Sequence, residues 1–302
     1  MIDRRSFIGL GALAMCAAGS KAFAEASCCA SKPSCGRVKF KFGMAGFSCH
    51  RLSLDETLKL MQKLDLRYLC IKDFHLSLKS TQAEIDAFKQ KCADFGVTGY
   101  GVGPIYMATN DECKRAFDYA KAIGVKTVVA VPTEMKEVNG KKVRFHSRAR
   151  CEYLSGLCAE YDIRVAIHNH GPDIPYCFPT GESSFNMVKD LDPRMGLCLD
   201  IGHDFRAGKN PAESIRKYGN RLYDMHVKNV KFDAKKNKAV PMPRGDMDLW
   251  EVVKALVEVG YTGCCSLEYE SFPGKGVKPG IKELDVAECV GYFKALMRAA
   301  EG

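Results

Sequence analysis

The chain has 302 residues, 46% hydrophobic and 27% charged, with a formal net charge of +9. This composition excludes a disordered tail, a collagen-like repeat and a coiled coil, and the length suits one α/β barrel of about 250 residues or two small domains. The basic balance permits an anionic ligand without requiring one, because a solvated surface can carry the same sign.

Residues 1–24 read as an export signal. Met1 to Arg5 is short and charged, Phe7 to Ala18 is an apolar run too short to span a bilayer comfortably, and Ala22-Phe23-Ala24 is a small-x-small cleavage site. Asp3-Arg4-Arg5-Ser6-Phe7-Ile8-Gly9 resembles a twin-arginine motif. The expectation is a protein exported to the periplasm, with no membrane association after signal removal. Residues 25–37 are expected to be a flexible segment carrying Cys28, Cys29 and Cys35, and 38–302 the folded domain. The chain has 15 cysteines, but no CxxC spacing to suggest a structural zinc cluster. Cys70, Cys92, Cys113, Cys158, Cys198, Cys264 and Cys289 lie in apolar segments, where free Cys packs as a small hydrophobe.

From Val38 onward, β-rich runs alternate with helical patterns. The predicted strands are Lys39–Ala45, Tyr68–Lys72, Thr98–Val102, Thr127–Val131, Arg164–His168, Gly196–Asp200, Tyr223–Lys228 and Cys264–Glu268. Between them, apolar residues recur at helical spacing: Leu54, Leu58, Met61 and Leu64, then Ile85, Phe88, Cys92 and Phe95. Later stripes are Leu249, Val252, Val253, Leu256 and Val257, then Val286, Cys289, Val290, Phe293 and Leu296. Ser53…Glu56, Thr81…Glu84 and Thr109…Glu112 match capping boxes, and Asn210-Pro211 supplies an N-cap followed by Pro. Gly96, Gly124 and Gly260 fall where left-handed C-caps belong. Eight strands alternating with eight helical stretches predict an α/β fold, a (β/α)8 TIM barrel in a single domain. An open doubly wound sheet is the alternative, but Gly43-Met44-Ala45-Gly46-Phe47 is not its glycine-rich dinucleotide loop.

In such a barrel, chemistry sits at the C-terminal strand ends. Ionisable residues gather there: Lys72, Asp73 and His75; Glu134; His168 and His170; Asp200 and His203; His226 and Lys228; Glu268 and Glu270. Imidazoles and carboxylates converging from neighbouring strands suit one divalent metal ion, with Mn²⁺, Zn²⁺ and Co²⁺ as candidates.

Four stretches resemble the xylose-isomerase-like TIM barrels, which include sugar isomerases and epimerases, dehydratases, keto-glycoside lyases and AP endonucleases. They are Ala166-Ile167-His168-Asn169-His170-Gly171, Leu199-Asp200-Ile201-Gly202-His203, Asp224-Met225-His226-Val227-Lys228 and Leu267-Glu268-Tyr269-Glu270. The resemblance covers about residues 38–300. It implies Asp200, His226 and Glu268 as metal ligands. Many members carry a Glu at the fifth-strand position where this chain has His168, so His168 is expected as the fourth ligand, with His170, of the same strand parity, as its rival.

The candidate catalytic residues are Glu268, His170, Lys228 and Glu134, and the candidate substrate contacts are Lys72, His75, His203, Arg206 and Glu270. The shared chemistry is removal of a proton beside a sugar carbonyl through an enediolate. An isomerase or epimerase is the first expectation, and a lyase, hydratase or dehydratase acting on keto-sugars or 3-keto-glycosides the second. The epimerases of the group use two carboxylates, one of which the Glu-to-His change removes, with Glu134 or Glu270 as substitutes. A non-catalytic sugar-binding barrel would instead rely on Lys72 and the aromatics Tyr106, Tyr176, Phe178 and Trp250. The expected partner is a small-molecule sugar or keto-sugar and not a nucleic acid, because the extra His ligands of the AP endonucleases are missing. Self-association into a homo-oligomer is left open. Gly274 to Gly280, after the last strand, reads as a flexible loop.

Overall fold

The structure, a computed structural model, describes residues 37–171, 178–232, 237–270 and 283–302. The export signal, Cys28, Cys29, Cys35, Tyr176 and the Gly274–Gly280 loop lie outside these residues. Each predicted strand forms: β1 Lys41–Ala45, β2 Tyr68–Ile71, β3 Thr98–Met107, β4 Thr127–Val138, β6 Arg164–His168, β7 Met195–Asp200, β8 Leu222–Val227 and β11 Cys264–Leu267. All pair in parallel in the order β3-β2-β1-β11-β8-β7-β6-β4, and β3 pairs with β4 to close the ring. The result is a closed eight-stranded parallel barrel.

The helices start where the sequence signals them. In α1 Leu54–Lys63, α2 Gln82–Asp94 and α3 Asn110–Ile123, Ser53, Thr81 and Thr109 each accept a backbone N–H while the Glu at the third helical position reaches back, completing the boxes. Asn210 caps α7 Pro211–Tyr218 by accepting the Ala212 and Glu213 N–H groups. Gly124 ends α3 at φ 87°, a left-handed conformation that a side chain would resist. The apolar stripes bury against the outside of the barrel, with Leu58, Met61, Phe117 and Phe293 fully enclosed. The ten cysteines among the described residues are free and buried.

Two features exceed the prediction. β4 runs seven residues past its expected end and turns through Asn139-Gly140, both at positive φ, into an antiparallel β5, Lys141–His146. Asn-Gly is a preferred two-residue hairpin turn, so this one was written in the sequence. β8 is likewise followed by a small hairpin of β9 Asn229–Lys231 and β10 Lys238–Val240. The barrel interior is unusual for its small side chains. Cys70, Val129, Ala166 and Cys198 form a separate buried cluster, and Tyr100 packs on it.

Candidate metal centre

Strand alternation aims every second side chain inward. Inward positions near the C-terminal ends of β6, β7, β8 and β11 therefore present His168, Asp200, His226 and Glu268, with Asp200 opposite His226 in register. All four are nearly or fully buried. One ligand atom from each lies within 4.8 Å of those of the others. His168 Nε2 is 3.2 Å from His226 Nδ1 and 3.5 Å from Asp200 Oδ2, and His226 Nδ1 is 3.3 Å from Glu268 Oε1. Donors bonded to one ion at about 2.1 Å and tetrahedral angles stand about 3.4 Å apart. The donor set, two imidazoles and two carboxylates, thus fits a borderline divalent ion in both chemistry and spacing. His170 does not join this group of four.

Lys228 lies two residues beyond His226, on the same face. Its Nζ reaches Asp200 Oδ2 at 2.8 Å, Glu268 Oε2 at 2.5 Å and Glu270 Oε1 at 2.7 Å. Arg206 braces the far side of Glu270 at 3.1 Å and donates to His203 Nδ1 at 3.3 Å. Three carboxylates face two fixed cations, so one negative charge is left over while the histidines are neutral. Burial opposes ionisation of Asp200, but Lys228, His203 and His168 outweigh it and hold the group well below the usual carboxylate range. Glu268 is likewise held low against burial by Lys228 and His226. Burial depresses His168, His170 and His203, favouring the neutral rings that a ligand or base requires. His226 is raised despite burial by Glu268. Burial disfavours charge on Lys228 too, yet Asp200, Glu268 and Glu270 raise it, so it stays an ammonium.

A cavity of about 160 Å³ opens beside the cluster. His168, His170, His203, Glu268 and Glu270 form one wall, and Phe47, Lys72, Pro104 and Tyr106 the other. His170 stacks on His203 with ring centroids 4.3 Å apart, and its Nδ1 is buried without a hydrogen-bond partner among the described residues. Lys72 Nζ donates to the Pro104 carbonyl at 2.7 Å and pairs with Asp73.

Two expected site residues lie elsewhere. Glu134 sits in the β4–β5 hairpin, paired with Lys136 at 2.7 Å, because β4 continues out of the barrel and carries it away. His75 turns toward α1 and meets Thr57 Oγ1 at 3.2 Å. Of the proposed sugar-stacking aromatics, Tyr106 lines the cavity, while Phe178 is fully buried and Trp250 packs on the core.

Several supports escaped the sequence reading. The Asn169 side chain accepts the Asp200 N–H at 2.7 Å and donates to the Asp200 carbonyl at 3.1 Å, tying β6 to β7 at the ligand level. Ser48 donates to the Leu267 carbonyl and accepts from Tyr269 N–H, bracketing Glu268. Asp200 also caps the short α6, Ile201–Arg206, by accepting the His203 N–H at 2.9 Å. In that helix a Cβ on Gly202 would come within 2.4 Å of Lys228 Cγ, so glycine makes room for the lysine. Buried Asn is a weak signal for such a role, and Ser48 carries none.

The family model of the xylose isomerase-like TIM barrel matches residues 58–287. Mannonate dehydratase of Thermotoga petrophila is 30% identical over 166 residues, 50% of this chain and 45% of that protein. Inosose isomerase of Bacillus subtilis is 28% identical over 166 residues, 52% of this chain and 58% of that protein. The chain therefore spans about half the length of the curated relatives it matches. A solved D-tagatose 3-epimerase-like protein shares the fold with a TM-score of 0.67 at 18% identity, over 86% of this chain and 98% of its own. The chain belongs to the xylose isomerase-like TIM barrel family.

Proposed function

We propose that this protein is a divalent-metal-dependent isomerase or epimerase that removes a proton from the carbon beside the carbonyl of a small sugar or keto-sugar. The observation that carries the reading is the buried set His168, Asp200, His226 and Glu268 beside a small cavity. A divalent ion held by these four would supply Lewis-acid polarisation of the substrate carbonyl. The chain's own groups supply the rest. His170, which lines the cavity and whose burial favours the neutral ring, accepts the substrate proton. Lys228 stays charged, keeps Glu268 ionised and pairs with Glu270, which makes it a fixed cation and not a base. Lys72 reaches the opposite side of the cavity and donates a hydrogen bond to a substrate oxygen.

A second reading, loss of a β-oxygen substituent as in a dehydratase or lyase, is favoured by one observation. Among the described residues, the wall facing the ligand set offers Lys72 and Tyr106 but no carboxylate, since Glu134 pairs with Lys136 in the hairpin. A two-carboxylate epimerase needs a base on both substrate faces, whereas elimination needs a base on one and a proton donor near the leaving oxygen. The name of the mannonate dehydratase relative agrees with this alternative. The proposal includes export through residues 1–24, which would present the enzyme with unphosphorylated sugars.

The test is incubation of keto-sugars and their glycosides in heavy water with Mn²⁺, Co²⁺ or Zn²⁺, read by NMR. Deuterium at the α-carbon without elimination supports isomerase or epimerase, and release of water or an aglycone supports the second reading. In either case His170→Gln lowers the exchange rate by about 10²–10⁴-fold. Metal-loaded protein that exchanges no α-proton in any keto-sugar overturns both.

A further inference from the structure

The cavity beside the ligand set holds about 160 Å³, below the roughly 300–1,000 Å³ usual for small-molecule sites. A second pocket of about 380 Å³ shares Tyr106 with it, and together the two reach that range. They also divide the same backbone between them. Pro104 and Tyr106 on β3 line the cavity, whereas Ile105 between them lines the second pocket, as strand alternation requires. Just past β2, Lys72 lines the cavity and Asp73 the second pocket, with their side chains paired at 3.1 Å.

The second pocket combines apolar surface with opposite charges. Leu78, Ile105 and Tyr106 supply the first. Asp73 and Glu112 bring carboxylates, while Arg115 from α3 and Arg144 from β5 bring guanidiniums. Those charges cancel, so a phosphate or a uronate would meet as much repulsion as attraction. A neutral sugar ring suits the lining better, because its C–H face packs on apolar and aromatic groups while its hydroxyls both donate and accept. Arg144 comes from the hairpin that prolongs β4, opposite Met135 in register. Its guanidinium carbon stands 4.5 Å from the Tyr106 ring centroid, a cation–π contact that holds the shared wall in place.

We propose that this pocket is a second sugar subsite, and that the substrate is a keto-sugar carrying a second, neutral sugar unit. This inference rests on the proposed function above. The keto-sugar ring occupies the cavity beside the ligand set, and the attached ring lies across Tyr106, against Asp73, Arg115 and Arg144. The chemistry at the α-carbon is unchanged. Contacts to the distant ring help to hold the reacting ring in its productive pose, so a substrate lacking that ring loses turnover as well as affinity.

The test takes the keto-sugars of the heavy-water assay, each as its methyl, glucosyl and glucuronyl glycoside, and measures kcat/KM on the metal-loaded full-length protein. Wild type should favour the glucosyl over the methyl compound by about tenfold or more, the effect of one hydrogen bond to a charged group. Arg115→Ala and Arg144→Ala alter exposed side chains, so the fold should survive, and each should remove most of that preference. A wild-type preference within about twofold overturns the subsite and leaves the proposed function standing. A preference that neither substitution changes places the second ring elsewhere and also overturns it. A glucuronyl compound favoured over the glucosyl one overturns the assignment to a neutral sugar. Metal-loaded protein that turns over none of these compounds overturns the proposed function, and this inference with it.

Discussion

β6, β7, β8 and β11 end in His168, Asp200, His226 with Lys228, and Glu268, whereas the facing arc of the mouth offers Phe47, Lys72, Pro104 and Tyr106. One arc concentrates three carboxylates, two cations and four imidazoles, while the other, among the described residues that line the cavity, presents apolar and aromatic side chains with one ammonium. The difference teaches where each job can be done. Burying unpaired charge is costly, so the charged arc must be held together by its own pairs and by Asn169 and Ser48 behind it. The apolar arc carries no such obligation and is free to set the shape and polarity of the ligand's far edge.

Substitutions on the charged arc should therefore act on metal retention, and the largest effect is expected at Asp200. Asp200→Ala removes the carboxylate that also caps α6, and elemental analysis should fall from about one divalent ion per chain to none. The distinction between the arcs breaks if that variant keeps its metal. Gly202→Ala sharpens it at an intermediate level. The new methyl would overlap Lys228 Cγ and Cδ, and overpacking of this kind costs about 1–3 kcal/mol, measurable by chemical denaturation against wild type. A variant as stable as wild type would mean that Lys228 moves aside freely and is not locked among its carboxylates. The smallest effect is expected at Glu134. Its exposed pairing with Lys136 contributes little, and Glu134→Gln should leave turnover within about twofold. A large loss there would bring the hairpin back into the active site.

Much of this was legible in the chain because the signals were local. The capping boxes, the Asn-Pro start of α7 and the strand-end placement of His168, Asp200, His226 and Glu268 follow from residue type, spacing and strand parity. Glu134 misled because the Asn139-Gly140 turn went unread, and with it the continuation of β4 that carries the carboxylate out of the barrel. Asn169 and Ser48 stayed hidden for a different reason. Their partners are far away in sequence, as with Ser48 and Leu267, so only the closed barrel shows what each one binds.

The central claim, a divalent ion at the mouth of the barrel, is tested most directly by anomalous diffraction from crystals of the protein grown with Mn²⁺ or Co²⁺. The account predicts one strong peak at the metal edge, within about 2.0–2.4 Å of atoms from His168, Asp200, His226 and Glu268. Crystals whose only anomalous signal lies elsewhere, with the Lys228 ammonium still joining Asp200 and Glu268, would contradict it.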